Sequence, residues 1–358
     1  MNIKNVLENV YEGFFDTLRK YSAKKTRIKQ FKNKASRNAL SSKQIKEVKQ
    51  FYKPYYLPHL AFHRYFTEKT GTFNVNYIPQ DIYVGYIDPY FNNLREAKYI
   101  DNKCYYDMLF HQIPQPLSIL KRMNGIWLDG GGKPVGTLEI KEIISSEHDG
   151  MFVKEAQVSA GGHGVLFVEP TSKAYDEIMN FSNSVKTDII IQRELKQHAD
   201  LAKFNSSSVN SLRIYSILNK NGSVKIYSSV LRIGVGNIKV DNYASGGVSC
   251  GITDKGYLKK YAYNKKGERV EKHPYTGVIF EGCKIPSYDK AVELVKKAHP
   301  TIPHFRSVSW DIMINEEGTP MLIEANLCRG GIDLLQLSNG PLFGEDTKAI
   351  LDEVFEKS

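Results

Sequence analysis

The sequence predicts a mixed α+β chain, and three observations support that prediction. Apolar residues recur at helical spacing near the start, runs of β-branched residues bounded by turn signals follow, and an antiparallel strand pattern begins at Ser211. At ~150 residues per domain, 358 residues give two or three lobes with ample core. With 41% hydrophobic and 25% charged residues, the composition excludes a disordered, collagen-like or coiled-coil chain.

The positive charge is concentrated at the amino-terminal end. Residues 1–60 contain 14 Lys and Arg against 4 Asp and Glu, which is already +10, and the remaining residues balance at 35 against 35. Val6, Val10, Phe14 and Leu18 are apolar residues at helical spacing. Eight basic residues then form a dense run: Lys20, Lys24, Lys25, Arg27, Lys29, Lys32, Lys34 and Arg37. A basic, mostly helical extension is therefore predicted over residues 1–95.

Such an extension has several interpretations that the sequence leaves open. It could contact an anionic membrane or a lipid-linked glycan, attract an acidic sugar substrate, contact nucleic acid, or form a solvated face that only maintains solubility. No ribonucleoprotein motif, zinc finger or recognition-helix pattern accompanies the charge, so nucleic acid is the least favoured partner.

No segment predicts a membrane span or a secretion signal. No apolar run approaches the ~20 residues of a spanning helix, and Glu8 and Glu12 interrupt the start where a signal peptide would be apolar. A cytoplasmic location is expected, with peripheral contact at the inner face of the membrane if the basic extension binds lipid. The four cysteines lack paired spacing, so reduced thiols are expected.

The middle of the chain alternates helices and strands. Asp101 is predicted to cap a helix over 103–110 that ends before Pro114. A later helix carries Tyr175, Ile178 and Phe181, with Thr171 or Ser172 as its cap. Strands are predicted at 138–144, 151–158, 165–168, 188–192, 212–218 and 224–233, followed by a helix over 287–299 and a hairpin over 309–326.

The hairpin places acidic residues where they would share a face. A tight turn centred on Glu317-Gly318 sets Asp311 opposite Glu324, with Asn326 on the same face. Facing carboxylates repel unless a cation lies between them, and hard oxygen ligands suit Mg²⁺ or Mn²⁺. A three-residue turn would instead shift the register by one and leave ordinary solvated acids. The spacing alone leaves both interpretations open.

A glycine-rich turn, 159–164, follows Lys154 between two strands. Because no helix begins there, it is not a Walker-type phosphate loop. A hairpin turn of this kind can still fold its backbone N–H groups over phosphates, with Lys154 as a point charge. Considered separately, the glycine-rich turn could be a simple turn, and Lys103 could be an ordinary solvated side chain.

Together these motifs resemble the ATP-grasp superfamily over roughly residues 95–345. The matching elements are Asp101-Asn102-Lys103, Val153-Lys154 before the glycine-rich turn, the strand ending Gln192-Arg193-Glu194, and Asp311 with Glu324-Ala325-Asn326. The chain looks most like the sugar-transfer-associated branch, because of these further segments: Gln197-His198, Ser208-Val209-Asn210-Ser211-Leu212-Arg213, Asp241-Asn242 with Gly246-Gly247, and His273-Pro274 leading to Ile285-Pro286.

The resemblance implies a nucleotide held between two antiparallel sheets and assigns roles to residues. Two lysines, Lys103 and Lys154, would reach the phosphates, and Arg213 and Arg232 would act with Lys154 near the γ-phosphate and the substrate carboxylate. ATP would further be bound by Ser159, Gly161, Gly162, His163, Gly164, Gln192, Arg193, Glu194, Leu195 and Asp200. Asp311, Glu324 and Asn326 match the metal positions. The chain departs from the family pattern at His163, where relatives often place Lys or Arg, and at the Gln-Arg-Glu hinge, where many show two acids.

The implied reaction is ADP-forming amide ligation of a carboxylate and an amine through an acyl phosphate, with Mg²⁺ or Mn²⁺. The branch suggests an amino acid joined to a uronic-acid or amino-sugar unit of a surface polysaccharide or capsule. The implied domains are the extension 1–95, a first ATP-grasp part with the lid, 96–195, and a second part with metal and acceptor sites, 196–358. A phosphotransferase acting on a hydroxyl and a non-catalytic nucleotide-binding module are the alternatives.

Overall fold

Two antiparallel sheets and a set of covering helices form the framework of the molecule, for which we describe a computed structural model. The structure describes residues 17–18, 20–22, 24–157, 164–236 and 246–356. The predicted site residues Ser159, Gly161, Gly162 and His163 lie outside these ranges. None of the helices in the described ranges is long and apolar enough to cross a membrane.

The first sheet combines two hairpins with a central strand. Its strands are β1 Ser118–Met123, β2 Ile126–Asp129, β3 Met151–Glu155, β4 Val165–Val168 and β5 Ile189–Arg193, in the order β2-β1-β5-β3-β4. Met151, Val153 and Ile191 are buried against helices on one face. Since side chains alternate along a strand, Lys154 and Gln192 lie on the opposite face.

The second sheet is larger and continuous. Its strands are β6 Ser211–Leu218, β7 Val224–Ile233, β8 Val248–Ile252, β9 Leu258–Asn264, β10 Arg269–Val270, β11 Ser307–Ile314 and β12 Pro320–Asn326, in the order β10-β9-β8-β7-β6-β11-β12. Leu212, Ile214 and Trp310 belong to the largest apolar core, on one face. Tyr215 and Ile217 belong to a second core on the other face.

Helices occupy much of the described amino-terminal region, as predicted. The helices are α1 24–32, α2 Ser42–Tyr52, α3 Ala61–Thr70, α4 Gln80–Ile82, α5 Asp88–Phe91, α6 Leu94–Ile100, α7 Tyr106–Leu109, α8 Thr137–Ser145, α9 Ala174–Ser184, α10 Ala199–Ala202, α11 Tyr288–Ala298, α12 Ile332–Asn339 and α13 Thr347–Phe355. A π-helical turn, Tyr83–Ile87, joins α4 to α5. Val48 and Tyr52 of α2 pack with Ile82 and with Tyr215 of β6 in the second core. The extension therefore covers one face of the second sheet.

The segment 138–144, predicted as a strand, is a helix, α8. Ile140 and Ile144 are the buried pair, and their i, i+4 spacing puts both on the helix face that packs on the first sheet. The start of α8 has only a weak sequence signal for a helix, because Gly136 occupies the N-cap position and has no side chain that could accept a backbone hydrogen bond. Only the Glu139 carboxylate, which accepts the Gly136 N–H at 2.8 Å, satisfies a free donor there.

The predicted caps of two other helices also need correction. Asn102 rather than Asp101 caps the segment after residue 101, because its side chain accepts the Cys104 N–H at 3.0 Å. That segment is a 3₁₀ turn, Lys103–Tyr105, followed by α7. The α9 helix begins after Lys173, which makes no side-chain cap bond, although Thr171 Oγ1 accepts the Lys173 N–H at 3.3 Å.

The hairpin of β11 and β12 pairs Asp311 with Glu324, one of the two arrangements that the sequence left open, although its turn is the three-residue one. Near the turn, Met313 pairs with Met321, so the loop has the three residues that would shift the register by one. A bulge restores the register: Ile312 pairs with Leu322 while Asp311 pairs with Glu324, which leaves Ile323 as the extra residue.

Candidate active site

A row of charged side chains crosses three neighbouring strands of the second sheet. Arg213 on β6 lies directly opposite Asp311 on β11, and Asp311 lies opposite Glu324 on β12. Arg232 approaches the same carboxylate from β7. Because residues paired across a sheet project from the same face, the strand register brings these four side chains together.

Asp311 is the centre of this charged row. Arg213 donates two parallel hydrogen bonds to it, Nε to Oδ1 at 2.8 Å and Nη2 to Oδ2 at 2.7 Å, and Arg232 Nη1 donates to Oδ2 at 2.8 Å. The Asp311 side chain is 4% exposed. Burial opposes its ionisation, but the two guanidinium groups outweigh burial and hold the pKa of Asp311 below its ordinary value.

Lys103 connects the two sheets at Glu324. Its backbone N–H donates to Ala156 O at 2.8 Å, and the thiol of the next residue, Cys104, donates to Ile189 O in β5 at 3.4 Å. The Lys103 side chain extends from this position to Glu324, where Nζ donates to Oε1 at 2.7 Å. A residue fixed against the first sheet therefore neutralises an acid of the second.

Two further contacts fix the end of β12. The hydroxyl of Tyr106 accepts the Ala325 N–H at 2.9 Å and donates to Ala325 O at 3.3 Å, so it holds the residue between Glu324 and Asn326. The Asn326 amide donates to Ser309 O at 3.0 Å, and Asn326 contributes to lowering the pKa of Asp311. The pairing of β11 with β12 and these contacts therefore hold the three predicted metal ligands, Asp311, Glu324 and Asn326, next to one another.

The donor set fits a hard divalent cation. Two carboxylates and an amide are the oxygen donors that Mg²⁺ and Mn²⁺ accept. Across the described ranges, no group of three or more His, Cys, Asp and Glu side chains is arranged to hold a metal ion, so a third protein ligand here would be the Asn326 amide. Arg213, Arg232 and Lys103 already place positive charge around Asp311 and Glu324.

Asp101 is a member of the site that the sequence assigned only a capping role. Its side chain is buried, and burial together with the nearby Glu324 carboxylate raises its pKa to about 7, while Lys103 lowers it. The sequence signal for Asp101 was its place in the motif Asp101-Asn102-Lys103, two residues before the lysine that was assigned to the phosphates. What the sequence could not show is that a bend in the chain turns the Asp101 carboxyl towards Glu324.

Asp101→Asn is expected to stabilise the protein at pH 8 but not at pH 4. A raised pKa means that the folded state prefers the protonated acid, so wild-type stability falls as pH rises from the unfolded value of ~3.9 to about 7. Asparagine imitates the protonated form at every pH. Thermal unfolding at both pH values measures the difference, and an equal gain at both would show that the charge of Asp101 is not its cause.

The first sheet contributes Lys154 and its neighbour Gln192. Lys154 Nζ donates to Gln192 Oε1 at 3.0 Å, on the face away from the covering helices. Gln192 is buried near the end of β5, the strand that leads into the predicted adenine hinge. The structure thus places these two predicted nucleotide-binding residues together.

The hinge residues that follow β5 are partly engaged elsewhere. The Arg193 guanidinium donates to Glu147 at 2.9 and 3.1 Å, and the Glu194 N–H donates to Gly150 O at 2.7 Å. Arg193 therefore belongs to a surface ion pair, and a contact from it to adenine would use its backbone. The Asp200 carboxylate, predicted to bind ribose, lies on the short helix α10, is 60% exposed and has Lys203 Nζ at 4.0 Å, while the Asp200 N–H donates to His198 Nδ1 at 3.1 Å.

Gly164 is the residue of the glycine-rich turn that the structure describes. Its φ of +78° lies in the left-handed region, and its carbonyl accepts the Glu155 N–H at 2.8 Å. An added Cβ would lie 2.3 Å from Glu155 Oε1. Glycine is therefore required where the chain returns from the turn to β4.

The loop after Asn326 passes close to the charged row. Asp88 accepts the Arg329 N–H at 2.9 Å, and Arg329, Gly330 and Gly331 all have positive φ. A Cβ added to Gly331 would lie 3.0 Å from Arg213 Nη1. Asn92 supports this loop by donating to Asp88 at 2.9 Å and to Leu327 O at 3.0 Å. Neither Asp88 nor Asn92 was indicated by the sequence, because no local motif there points to the loop.

Comparison with solved structures finds distant similarity to several ligases. D-alanyl-alanine synthetase A from Vibrio cholerae O1 biovar eltor str. N16961 is 16% identical over 72% of this chain and 64% of that chain, with a TM-score of 0.42. L-amino acid ligase from Bacillus licheniformis is 13% identical over 72% and 48%, with a TM-score of 0.41. PsnB, an ATP-grasp ligase complexed with a phosphomimetic variant of minimal precursor, Mg and ADP, is 14% identical over 73% and 61%, with a TM-score of 0.41.

The chain thus spans less than two thirds of the length of each of these structures. Comparison with curated protein sequences finds no significant match. A family model described as sugar-transfer associated ATP-grasp matches residues 84–351, which is most of the chain and includes both sheets and the charged row. The chain therefore belongs to the sugar-transfer associated ATP-grasp family, as the separated motifs predicted.

Proposed function

We propose that the protein is an ATP- and Mg²⁺-dependent carboxylate–amine ligase that forms an amide through an acyl phosphate. The observation that carries this proposal is the cluster of Arg213, Arg232, Asp311, Glu324 and Lys103, which joins the two sheets by hydrogen bonds. It combines cations suited to phosphates with oxygen donors suited to a divalent metal. The family assignment supports ATP as the nucleotide.

Asp311, Glu324 and Asn326 would hold Mg²⁺ at this cluster. Bound there, Mg²⁺ would neutralise phosphate charge and act as a Lewis acid towards a phosphoryl oxygen. Asp311 and Glu324 lie opposite each other, and each is already neutralised by protein cations. The two acids are therefore already surrounded by positive charge. A metal ion bound between them would have to displace some of these side-chain cations.

The basic side chains would stabilise charge during phosphoryl transfer. A substrate carboxylate oxygen attacks the γ-phosphorus, the bond to the ADP oxygen breaks, and the amine then attacks the acyl carbon and releases inorganic phosphate. Arg213 and Arg232 would spread the charge that develops on the transferred group, while Lys103 and Lys154 bind the phosphates. No side-chain nucleophile is required, and catalysis comes from positioning and electrostatics.

For the substrates, we propose an amino acid and a uronic-acid or amino-sugar unit of a surface polysaccharide. The description of the family as sugar-transfer associated supports a sugar-linked substrate. The loop that carries Arg329 lies against Arg213 and is supported by Asp88, so it is suited to select the acceptor.

The test is ³¹P NMR of MgATP incubated with the protein and a pool of amino acids, nucleotide-activated uronic acids and amino sugars. We expect ADP and an equal amount of inorganic phosphate, and only when the pool is present. ADP with a new phosphate-ester resonance would show a phosphotransferase instead. AMP with pyrophosphate would contradict the acyl phosphate, and unchanged ATP with every component of the pool would contradict turnover of these substrates.

A further inference from the structure

A cationic cavity lies in the amino-terminal helical region, outside the segment that matches the family model. Its volume is about 330 Å³, at the lower end of the ~300–1,000 Å³ typical of ligand pockets. The lining side chains come from α1, from the loop that follows it, from the loop before α3 and from α3: Phe31, Lys32, Ala35, Arg37, His59, Ala61 and Arg64. None of these residues belongs to the matched segment, which begins at residue 84, and none is among the residues assigned to the nucleotide.

The cavity carries three positive charges that the described chain does not neutralise. In the part of the chain that the structure describes, no carboxylate is paired with Lys32, Arg37 or Arg64. The Nε of Arg64 is buried and makes no hydrogen bond within those ranges. Like charges held close together are unfavourable, and an unsatisfied buried donor adds to that cost.

The acidic groups in this region are already engaged by other partners. Glu68 accepts the Ser36 N–H at 2.6 Å and lies 3.5 Å from Lys69. Asp81 is buried, its Oδ1 accepts the Ile82 N–H at 3.1 Å, and burial raises its pKa to about 6. Neither acid neutralises the cavity cations.

His59 reports the positive field inside the cavity. Burial is the largest cause that lowers its pKa, and Arg64, Lys32 and Lys24 each lower it further. A neutral imidazole can donate one hydrogen bond without adding charge. The positive field of Arg64 and Lys32 therefore reaches an imidazole that lines the same cavity.

One wall of the cavity is rigid and apolar. The Phe31 ring packs at 5.1 Å from Phe62 and at 4.9 Å, edge to face, from Tyr65. This aromatic packing holds the end of α1 against α3, so Lys32 and Arg64 come from two elements that are fixed relative to each other.

We propose that this cavity binds a phosphate or diphosphate group. Guanidinium groups donate parallel hydrogen bonds that match phosphate oxygens, and Lys32 adds a point charge. Three cations with no carboxylate partner among the described residues match the charge of a diphosphate. The group has two sources, a soluble phosphate compound or a lipid headgroup, and both present the same oxygens.

The test titrates the full chain with inorganic pyrophosphate, without metal, while ¹H–¹⁵N NMR follows the Nε–H of Arg64. We expect a saturable shift of that resonance. Lys32→Gln should weaken the affinity at least ~10-fold, because it removes a charged contact. Lys29→Gln is the matched control: it removes an exposed lysine of the same helix that does not line the cavity, and the affinity should stay within about twofold.

Vesicle flotation distinguishes the two sources. Binding to phosphatidylcholine vesicles that contain phosphatidic acid, reduced by Lys32→Gln but not by Lys29→Gln, would assign a lipid phosphate. Pyrophosphate binding without flotation would assign a soluble one. An Arg64 resonance that pyrophosphate does not shift, or equal weakening by both variants, would overturn the proposal. Because ATP is absent from these measurements, they do not depend on the ligase assignment.

Discussion

Glu324→Ala is expected to lower ATP turnover by ~10²–10³-fold or more while the protein stays folded. The substitution removes a proposed metal ligand and leaves Lys103 without the carboxylate that it binds at 2.7 Å. Glu324 is partly exposed and its loss leaves no buried cavity, but it leaves Lys103 unpaired, so we expect a stability loss of about 1–3 kcal/mol with the fold retained. ADP release in the presence of the substrate pool measures the effect.

Glu317→Ala is the matched control for this experiment. Glu317 lies on the exposed turn of the same hairpin, so its substitution removes an equal charge without touching the charged row. Its ADP release should equal that of the wild type. A Glu324→Ala protein that keeps wild-type ADP release would show that the metal assignment is wrong.

Asp311→Asn is expected to abolish turnover and also to destabilise the fold by about 3–5 kcal/mol. The carboxylate accepts three hydrogen bonds from Arg213 and Arg232, and its loss leaves two partly buried guanidinium groups without their counter-ion. Urea unfolding at pH 7 measures the loss. Asp254→Asn, at an exposed turn, should change stability by no more than ~0.5 kcal/mol.

The pH dependence of this effect has a defined sign. Because the pKa of Asp311 is lower in the folded state, its charge stabilises the fold above the unfolded value of ~3.9, and that contribution is lost as pH falls through the folded pKa. The stability difference between wild type and Asp311→Asn should therefore shrink in acid. A difference that stays constant from pH 7 into strong acid would show that the ionised carboxylate is not the source.

Segments with strong local signals were predictable from the sequence. The β-branched run in β5 and the alternating patterns of β6 and β7 form strands close to the predicted bounds. The same local rules were wrong for α8, where Gly136 replaces an ordinary cap and a short apolar pattern fits either a helix or a strand. The family motifs supplied the nucleotide and metal candidates because those residues occur at recognisable spacing.

Contacts between distant parts of the chain were not predictable in this way. The Arg213–Asp311 pair depends on the register of β6 with β11, and these residues are 98 positions apart. The Lys103–Glu324 hydrogen bond joins residues that are 221 positions apart in the chain. It connects a segment packed on the first sheet to a strand of the second sheet. The sequence left the Asp311–Glu324 pairing open, and only the structure reveals the bulge at Ile323 that produces this pairing despite the three-residue turn.

The central claim is that the charged row binds a metal–nucleotide complex, and Mn²⁺ electron paramagnetic resonance tests it most directly. Free Mn²⁺ is titrated with protein in the presence of a non-hydrolysable ATP analogue, for the wild type, Glu324→Ala and Glu317→Ala. We predict that the wild type and Glu317→Ala deplete the free Mn²⁺ signal more than the analogue alone, and that Glu324→Ala does not. Equal depletion by all three proteins, or none by any of them, would contradict the claim.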